Sequence, residues 1–283
     1  MTFAPYKLLD LFSGIGGFSL GLERSGAFET VAFCEIEPFP RKVLAKHWLK
    51  VPCYDDIRTL TAARLAADGI AVDAICGGFP CQDISTAGQG RGLDGARSGL
   101  WFEYARLIGE LRPKYVIVEN VAALLGRGLE QVLGSLASIG YDAEWHCISA
   151  AAIGAKHKRD RLWIVVYPRH EGVLQSRLND DAYEESSLAG GVGLNGISWW
   201  QKRKNVADAM CAGLEGQRNV TSRIAAELNN IGNDSWWAVE PDVGRVAHGI
   251  SDRAHRLKGL GNAVVPQIPE LIGRAIAAAE VAA

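Results

Sequence analysis

Cys81 stands in Gly78-Phe79-Pro80-Cys81-Gln82, where an apolar run from Val72 to Cys76 opens into a glycine-rich loop. A thiol so placed can be a nucleophile. The next apolar run of the same look, Lys114 to Val118, ends in Glu119-Asn120-Val121, so a thiol and a carboxylate sit at the ends of two neighbouring parallel strands. That pairing is the chemistry of adding to a pyrimidine ring. The plain alternatives are a packed thiol and a structural strand-end carboxylate. Against the first, the neighbours of Cys81 are turn formers, and Arg159 and Arg161 in Lys158-Arg159-Asp160-Arg161 are candidates to favour a thiolate. Against the second, a partly desolvated Glu119 has a raised pKa and can donate a proton near neutrality.

A second group of residues has the types that hold a nucleoside. The first strand runs into Asp10-Leu11-Phe12-Ser13-Gly14-Ile15-Gly16-Gly17-Phe18, a glycine turn that lets a ligand approach the backbone at a helix start. It is not G-x-G-x-x-G, because Ser19 takes the third glycine's place, and a tight strand-to-helix turn needs glycine anyway. Glu35, about 20 positions on at the end of the second strand, is where such folds hydrogen-bond a ribose diol. Asp56-Ile57, after a third short strand, can receive an adenine amino group or be a solvated turn. Together the three strand ends point to an adenosine-containing cofactor.

From Cys81 to Gly99 the chain carries Gly88, Gly90, Gly92, Gly95 and Gly99 with Arg91 and Arg97, and no apolar periodicity. Loops longer than ~12 residues inside domains tend to be lids, and arginines suit a phosphate backbone. The alternative is a disordered connection.

The elements that must position these groups follow from the rhythm of the chain. Strands are expected at Lys7 to Phe12, Thr30 to Glu35, Val72 to Cys76 and Lys114 to Glu119, with helices at Gly17 to Arg24, Pro38 to Trp48 and Leu100 to Leu111. This alternation is the signature of a parallel sheet wrapped on both faces by helices, an α/β fold, in which ligands collect at the carboxyl ends of the strands. A helix near Leu129 to Ile139 and two late strands, Tyr141 to Ser149 and Arg161 to Tyr167, finish the sheet antiparallel. After Pro168 the rhythm stops. The expected division is a catalytic and cofactor-binding domain over 1–168, a small separate domain over 169–244 with two Trp-Trp pairs, and a segment over 245–283 that returns to the first domain through Gly261-Asn262-Ala263-Val264 and an alanine-rich helix.

Bulk properties bound the function without choosing it. A net charge of −2 in 283 residues argues against a non-specific polyanion binder but allows a local basic cleft. No apolar stretch reaches the ~18 residues of a membrane span, and Met1 to Lys7 lacks a basic-then-apolar signal, so a cytoplasmic chain is expected. Six cysteines without C-x-x-C or clustered histidines point to reduced thiols and no zinc. Cys34 and Cys76, each inside a strand-like run, read as buried small hydrophobes.

Taken together, the blocks Asp10 to Gly17, Glu35, Asp56-Ile57, Gly78 to Gln82, Glu119 to Val121, Arg159-Asp160-Arg161 and Gly261 to Val264 resemble, in order and spacing, the cytosine-C5 DNA methyltransferase family of bacteria and phages. The resemblance covers residues 7 to 167 and 245 to about 278. It implies a Rossmann-like methyltransferase sheet with a small target-recognition domain, S-adenosyl-L-methionine as cofactor, double-stranded DNA as partner, and a monomer in a prokaryotic or phage-infected cell, with a cognate restriction endonuclease as a functional counterpart. By position it gives catalytic roles to Cys81, Glu119, Arg159 and Arg161. Cofactor contacts fall to Phe12, Gly14, Ile15, Gly16, Gly17, Glu35, Ile36, Asp56, Ile57, Pro80, Leu100, Asn262 and Val264, and DNA contacts to Gln82, Ser85, Arg91, Arg97, Lys202 and Arg203. Two departures stand out: Lys156-His157 replaces the family's frequent Pro-Gln, and Ile36 sits where an aromatic residue often packs on adenine. Competing readings are an RNA cytosine methyltransferase, a catalytically silent scaffold and, weakest, a nicotinamide dehydrogenase.

Overall fold

The computed structural model describes residues 4–80, 99–169 and 253–281. Cys81, Gln82, Ser85, Arg91, Arg97, Lys202, Arg203 and nearly all of the expected 169–244 domain lie outside the described residues. By its internal contacts the chain divides into one unit of Met1–Pro168 with Val220–Ala283 and another of Arg169–Asn219; apart from Arg169, everything below concerns the first.

Among the described residues the strands are β1 (Tyr6–Leu11), β2 (Phe28–Cys34), β3 (Cys53–Tyr54), β4 (Ala74–Gly77), β5 (Tyr115–Val121), β6 (Tyr141–Ile148) and β7 (Arg161–Pro168). They form one sheet in the order β3-β2-β1-β4-β5-β7-β6. The pairs from β3 to β5 are parallel, while β7 runs antiparallel to both β5 and β6. Strand order turns round at β1 and β4, the topological switch point at which such sheets leave a crevice. The antiparallel β7 has a local consequence: its first residue, Arg161, is paired with Val121 at the carboxyl end of β5.

The central strands β1, β4 and β5 are buried on both faces, as parallel strands require, and side chains alternate between the faces with a period of two. Leu9, Leu11, Ile75, Val116 and Val118 face one core, against Trp101, Tyr104 and Ile108 of α4 (Leu100–Leu111) and Val132 and Leu136 of α6 (Leu129–Ser138). Leu8, Ala74, Cys76, Tyr115 and Ile117 face the other, against α1 (Gly17–Arg24) and the C-terminal helix (Gln267–Val281). α1 packs closely on the backbone that leads into that helix: a Cβ on Gly21 would lie 2.1 Å from the Pro266 carbonyl, and one on Gly17 2.7 Å from that of Val264.

The expected strands and helices are present with ends moved by at most two residues; a helix over Arg253–Asn262, ahead of the expected alanine-rich one, was not expected, nor were three short elements. One is α3 (Ala62–Ala67), whose N-cap Thr61 accepts the Arg64 amide at 3.1 Å. The others are α5 (Leu124–Arg127) and a 3-10 turn over Ala150–Ile153. The remaining helices, numbered in chain order, are α2 (Pro38–His47), α7 (Arg253–Asn262) and α8 (Gln267–Val281). Among the described residues no helix is long and apolar enough to cross a membrane.

Candidate active site

The carboxyl ends of β1, β2, β3, β4 and β5 bring most of the candidate residues to one edge. The turn after β1 is strained: Phe12, a non-glycine residue, has φ +53°, and Gly14 and Gly16 follow at +54° and +87°. A bulky residue in that region costs ~1–3 kcal/mol. Ser13 fixes the turn, its hydroxyl donating to the Asp10 carbonyl at 2.6 Å and its amide to the Cys34 carbonyl at 3.3 Å. Glu35, buried at the end of β2, accepts the Gly14 amide on one oxygen and the Glu37 amide on the other, both at 2.7 Å.

These turns enclose a cavity of about 220 Å³. It is lined by Phe12 after β1, by Cys34, Glu35 and Ile36 at the end of β2, by Asp55, Asp56, Ile57 and Arg58 after β3, and by Pro80 and Leu100. Seven of the expected cofactor residues therefore share one cavity. Its size is below the ~300–1,000 Å³ of pockets that swallow a drug-sized ligand, and suits the nucleoside end of a larger one. The expected aromatic stays absent at Ile36, which is 61% exposed, but Phe12 supplies a ring and rests against Tyr104 at 6.2 Å between centroids.

Gly14, Ile15, Gly16, Gly17, Asn262 and Val264 do not line this cavity. Among the three glycines only Gly14 has open space where a Cβ would be. A Cβ on Gly16 would meet the Trp48 ring at 2.7 Å, and Gly17 is packed on Val264, so these two serve packing in the structure. Ile15 lies 3.4 Å from the Cβ position of Gly259 in α7, and Asn262 is exposed. A separate open hollow of about 560 Å³ beside β3 shares only the neighbourhood of that strand and holds none of the candidate residues.

The second half of the site centres on Glu119. Its Oε1 is 2.9 Å from Nε of Arg161, as β5–β7 register dictates: Glu119 and Val121 share a face, and Arg161 is opposite Val121. The two side chains are 14% and 24% exposed. Burial raises the pKa of Glu119 above the ordinary carboxyl range, against the opposing pull of Arg161 and Arg159. Gly78 lies directly beneath, with its Cβ position 2.7 Å from Oε2. Asn120, 2% exposed, turns the other way: its Nδ2 donates to the Phe79 carbonyl at 3.1 Å and its Oδ1 accepts the Val121 amide. Asn120 thus ties the residues just before Cys81 to β5, a part the sequence reading missed although the residue stands inside the quoted block.

Arg159 is turned to the C-terminal segment. Its two Nη groups donate to the Gly261 and Ala263 carbonyls, each at 2.9 Å, so it anchors the C-terminal segment and has a positioning part. Burial, and then Arg161, depress its pKa, with Glu119 opposing them.

The other thiols in the sheet are poor nucleophiles. Burial pushes Cys34 up to about 12 and Cys76 well above the ordinary thiol range. Cys76 is opposite Asp10 across the β1–β4 pairing. Asp10 is fully buried and accepts the Ser19 hydroxyl at 2.7 Å on Oδ2, while Oδ1 has no partner of hydrogen-bond geometry. The Cys76 thiol is only a weak donor to this carboxyl, and burial lifts the Asp10 pKa to about 7. The serine in the third glycine's place therefore serves a buried carboxyl.

The family model for C-5 cytosine-specific DNA methylase matches residues 6–235. The chain belongs to this family. Among curated relatives it is 35% identical to Type II methyltransferase M2.BsuMI of Bacillus subtilis over 164 residues, 55% of this chain and 40% of that protein. It is also 35% identical to M1.ScrFI of Lactococcus lactis over 59% of this chain and 42% of that protein. The matched region thus spans about 40% of the length of these relatives. A prophage-encoded Escherichia coli protein assigned as a DNA modification methyltransferase has the same fold, with TM-score 0.59, 17% identity and coverage of 98% of this chain and 99% of that one. Family membership sets aside the nicotinamide dehydrogenase.

Proposed function

We propose that the chain is a sequence-specific DNA cytosine-C5 methyltransferase that uses S-adenosyl-L-methionine and acts on a cytosine flipped out of the duplex. The observation that carries this is the Glu119–Arg161 pair at the sheet's carboxyl edge, beside the Phe79-Pro80 backbone from which Cys81 follows.

The cavity residues fit the cofactor. Phe12 offers a ring for a purine, Glu35 acceptors for a ribose diol and Asp56 an acceptor for an amino group; outside the cavity, Gly14 has open space where a Cβ would be. When bound, S-adenosyl-L-methionine supplies an electrophilic methyl group. The chain's part is to make cytosine C5 nucleophilic. C5 and C6 are stacked in B-DNA, so the base must leave the helix first. The Cys81 thiolate adds to C6 while Glu119 hydrogen-bonds or protonates N3, and the C5=C6 electron pair becomes available at C5 as an enamine. A Glu119 whose pKa burial raises above the ordinary carboxyl range suits that part. Arg161 holds both the carboxylate and the cytosine O2. After methylation, loss of the C5 proton expels the thiolate and restores aromaticity.

The glycine-rich segment after Cys81, with Gln82, Ser85, Arg91 and Arg97, and the cluster at Lys202 and Arg203 are the proposed DNA contacts. The Type II names of the relatives support a functional pairing with a restriction endonuclease.

The test exploits the C5 proton. Duplex DNA with 5-fluorocytosine in the target has no proton to lose there, so the protein should stay covalently attached through a denaturing gel in the presence of cofactor. Cys81→Ser should give no adduct. An adduct formed equally by that variant would remove Cys81 from the mechanism, and adducts on RNA alone would move the substrate to RNA.

A further inference from the structure

The Asp56 carboxylate is held by its neighbour Arg58. Arg58 donates its backbone amide to Oδ1 at 2.9 Å, its Nε to Oδ1 at 2.9 Å and to Oδ2 at 3.0 Å, and its Nη2 to Oδ2 at 2.6 Å. These are three hydrogens, the Nε–H being shared between the two oxygens, and a carboxylate offers about four lone-pair directions, so about one remains open and its direction is set. The backbone below is equally fixed. The Asp56 carbonyl accepts the Thr59 and Leu60 amides, and Arg106 of α4 donates to the Ile57 and Leu60 carbonyls, each at 2.9 Å. Arg106 is itself braced by Glu103 and Glu110.

As a stabilising device the Asp56–Arg58 pair is weak, because the arginine side chain is 62% exposed and the two residues are near neighbours. Both nevertheless line the 220 Å³ cavity. The other charged groups on that cavity, Glu35 and Asp55, are acidic, so Arg58 is its one cation among the described residues.

We propose that Arg58 is a positioning residue that locks the Asp56 carboxylate as a directed acceptor, so that the cavity selects a 6-amino purine over a 6-oxo purine. This rests on the reading of the cavity as the nucleoside end of the cofactor site. An adenine amino group brings a hydrogen to the open lone pair. A 6-oxo purine brings a second acceptor, which a carboxylate with no proton cannot satisfy. Arg58 also holds Asp56 ionised by depressing its pKa, so the rejection does not relax through protonation. Freed of the fork, the Asp56 side chain can rotate toward water, and the amino group gains no more from it than from solvent.

The experiment is calorimetric titration of the full chain with S-adenosyl-L-homocysteine and its 6-oxo counterpart, S-inosyl-L-homocysteine. The chain as it stands should prefer the amino form by at least about tenfold, since sites built to pair a polar ligand group reject analogues strongly. Arg58→Ala should still bind both but bring the ratio within about threefold; Arg58→Lys, which keeps charge without the fork, should fall between. Asp56→Asn should lose the same preference, and adding Arg58→Ala to it should change nothing further. An Arg58→Ala ratio equal to that of the unaltered chain, with the ratio lost in Asp56→Asn, overturns the role of Arg58 and leaves the cofactor reading standing. Equal affinity of the unaltered chain for both ligands overturns the selection itself. Absence of binding to either ligand overturns both this inference and the cofactor reading.

Discussion

Gly78 and Glu119 are packed so closely that a Cβ on Gly78 would stand 2.7 Å from Glu119 Oε2. The glycine two residues before Pro80 is therefore a condition for the carboxylate's position. Gly78→Ala should push the carboxylate off its Arg161 contact and slow methyl transfer by about 10²-fold, the scale of a ~1 Å misplacement at a reacting group. Single-turnover transfer and thermal unfolding measured together decide it; a normal rate in a normally folded variant contradicts the packing argument.

Glu119→Gln keeps the shape and removes the ionisable proton. Transfer should fall by ~10²–10⁴, the usual worth of a positioned acid–base group. Arg161 also loses its counter-charge, at a cost below the ~3–5 kcal/mol of breaking a fully buried pair, because its side chain is 24% exposed. An unchanged single-turnover rate would remove Glu119 from the proton-transfer role.

Much of this edge was legible in the sequence, for a physical reason. Strands buried on both faces are written as near-continuous apolar runs, and their carboxyl ends must carry whatever polar groups the function needs, so Glu35, Asp56 and Glu119 stand out as carboxylates at the ends of apolar runs. The short helices were not legible: α3 has six residues, too few for a periodic signal, and it is supported from α4, where Glu110 accepts the Ala62 amide across 48 positions. The partners of Arg159 were not legible for a related reason. Gly261 and Ala263 lie 102 and 104 positions away, and nothing local announces them. Cys81 was the first residue singled out, yet it lies outside the described residues.

Arg159→Ala should loosen the C-terminal segment. Two charge-assisted hydrogen bonds to carbonyls are lost, each worth ~1.5–3 kcal/mol, and α7 should exchange its amide hydrogens faster. Because Val264 backs Gly17, the KM for cofactor should rise more than kcat falls. Arg159→Lys should recover part of the effect through one donor. Unaltered exchange over residues 253–266 would contradict the anchoring role.

Asp10 makes stability depend on pH. Its folded pKa, about 7, lies above the ordinary 3.8, so its favourable contribution is complete below pH 4 and is lost as pH rises through 7. The full loss is of order 4 kcal/mol at ~1.4 kcal/mol per unit. Asp10→Asn should flatten the fall in Tm between pH 5 and pH 8. An identical slope in the variant would mean that Asp10 titrates normally in the fold.

The most direct test of the central claim is expression in a host that lacks cytosine methylation, beside Cys81→Ser, followed by base-resolution sequencing of 5-methylcytosine in the host DNA. The account predicts 5-methylcytosine confined to one short sequence motif, and none with the variant. Unmethylated DNA from cells making the folded, unaltered chain would contradict it, as would methylation that survives loss of the thiol.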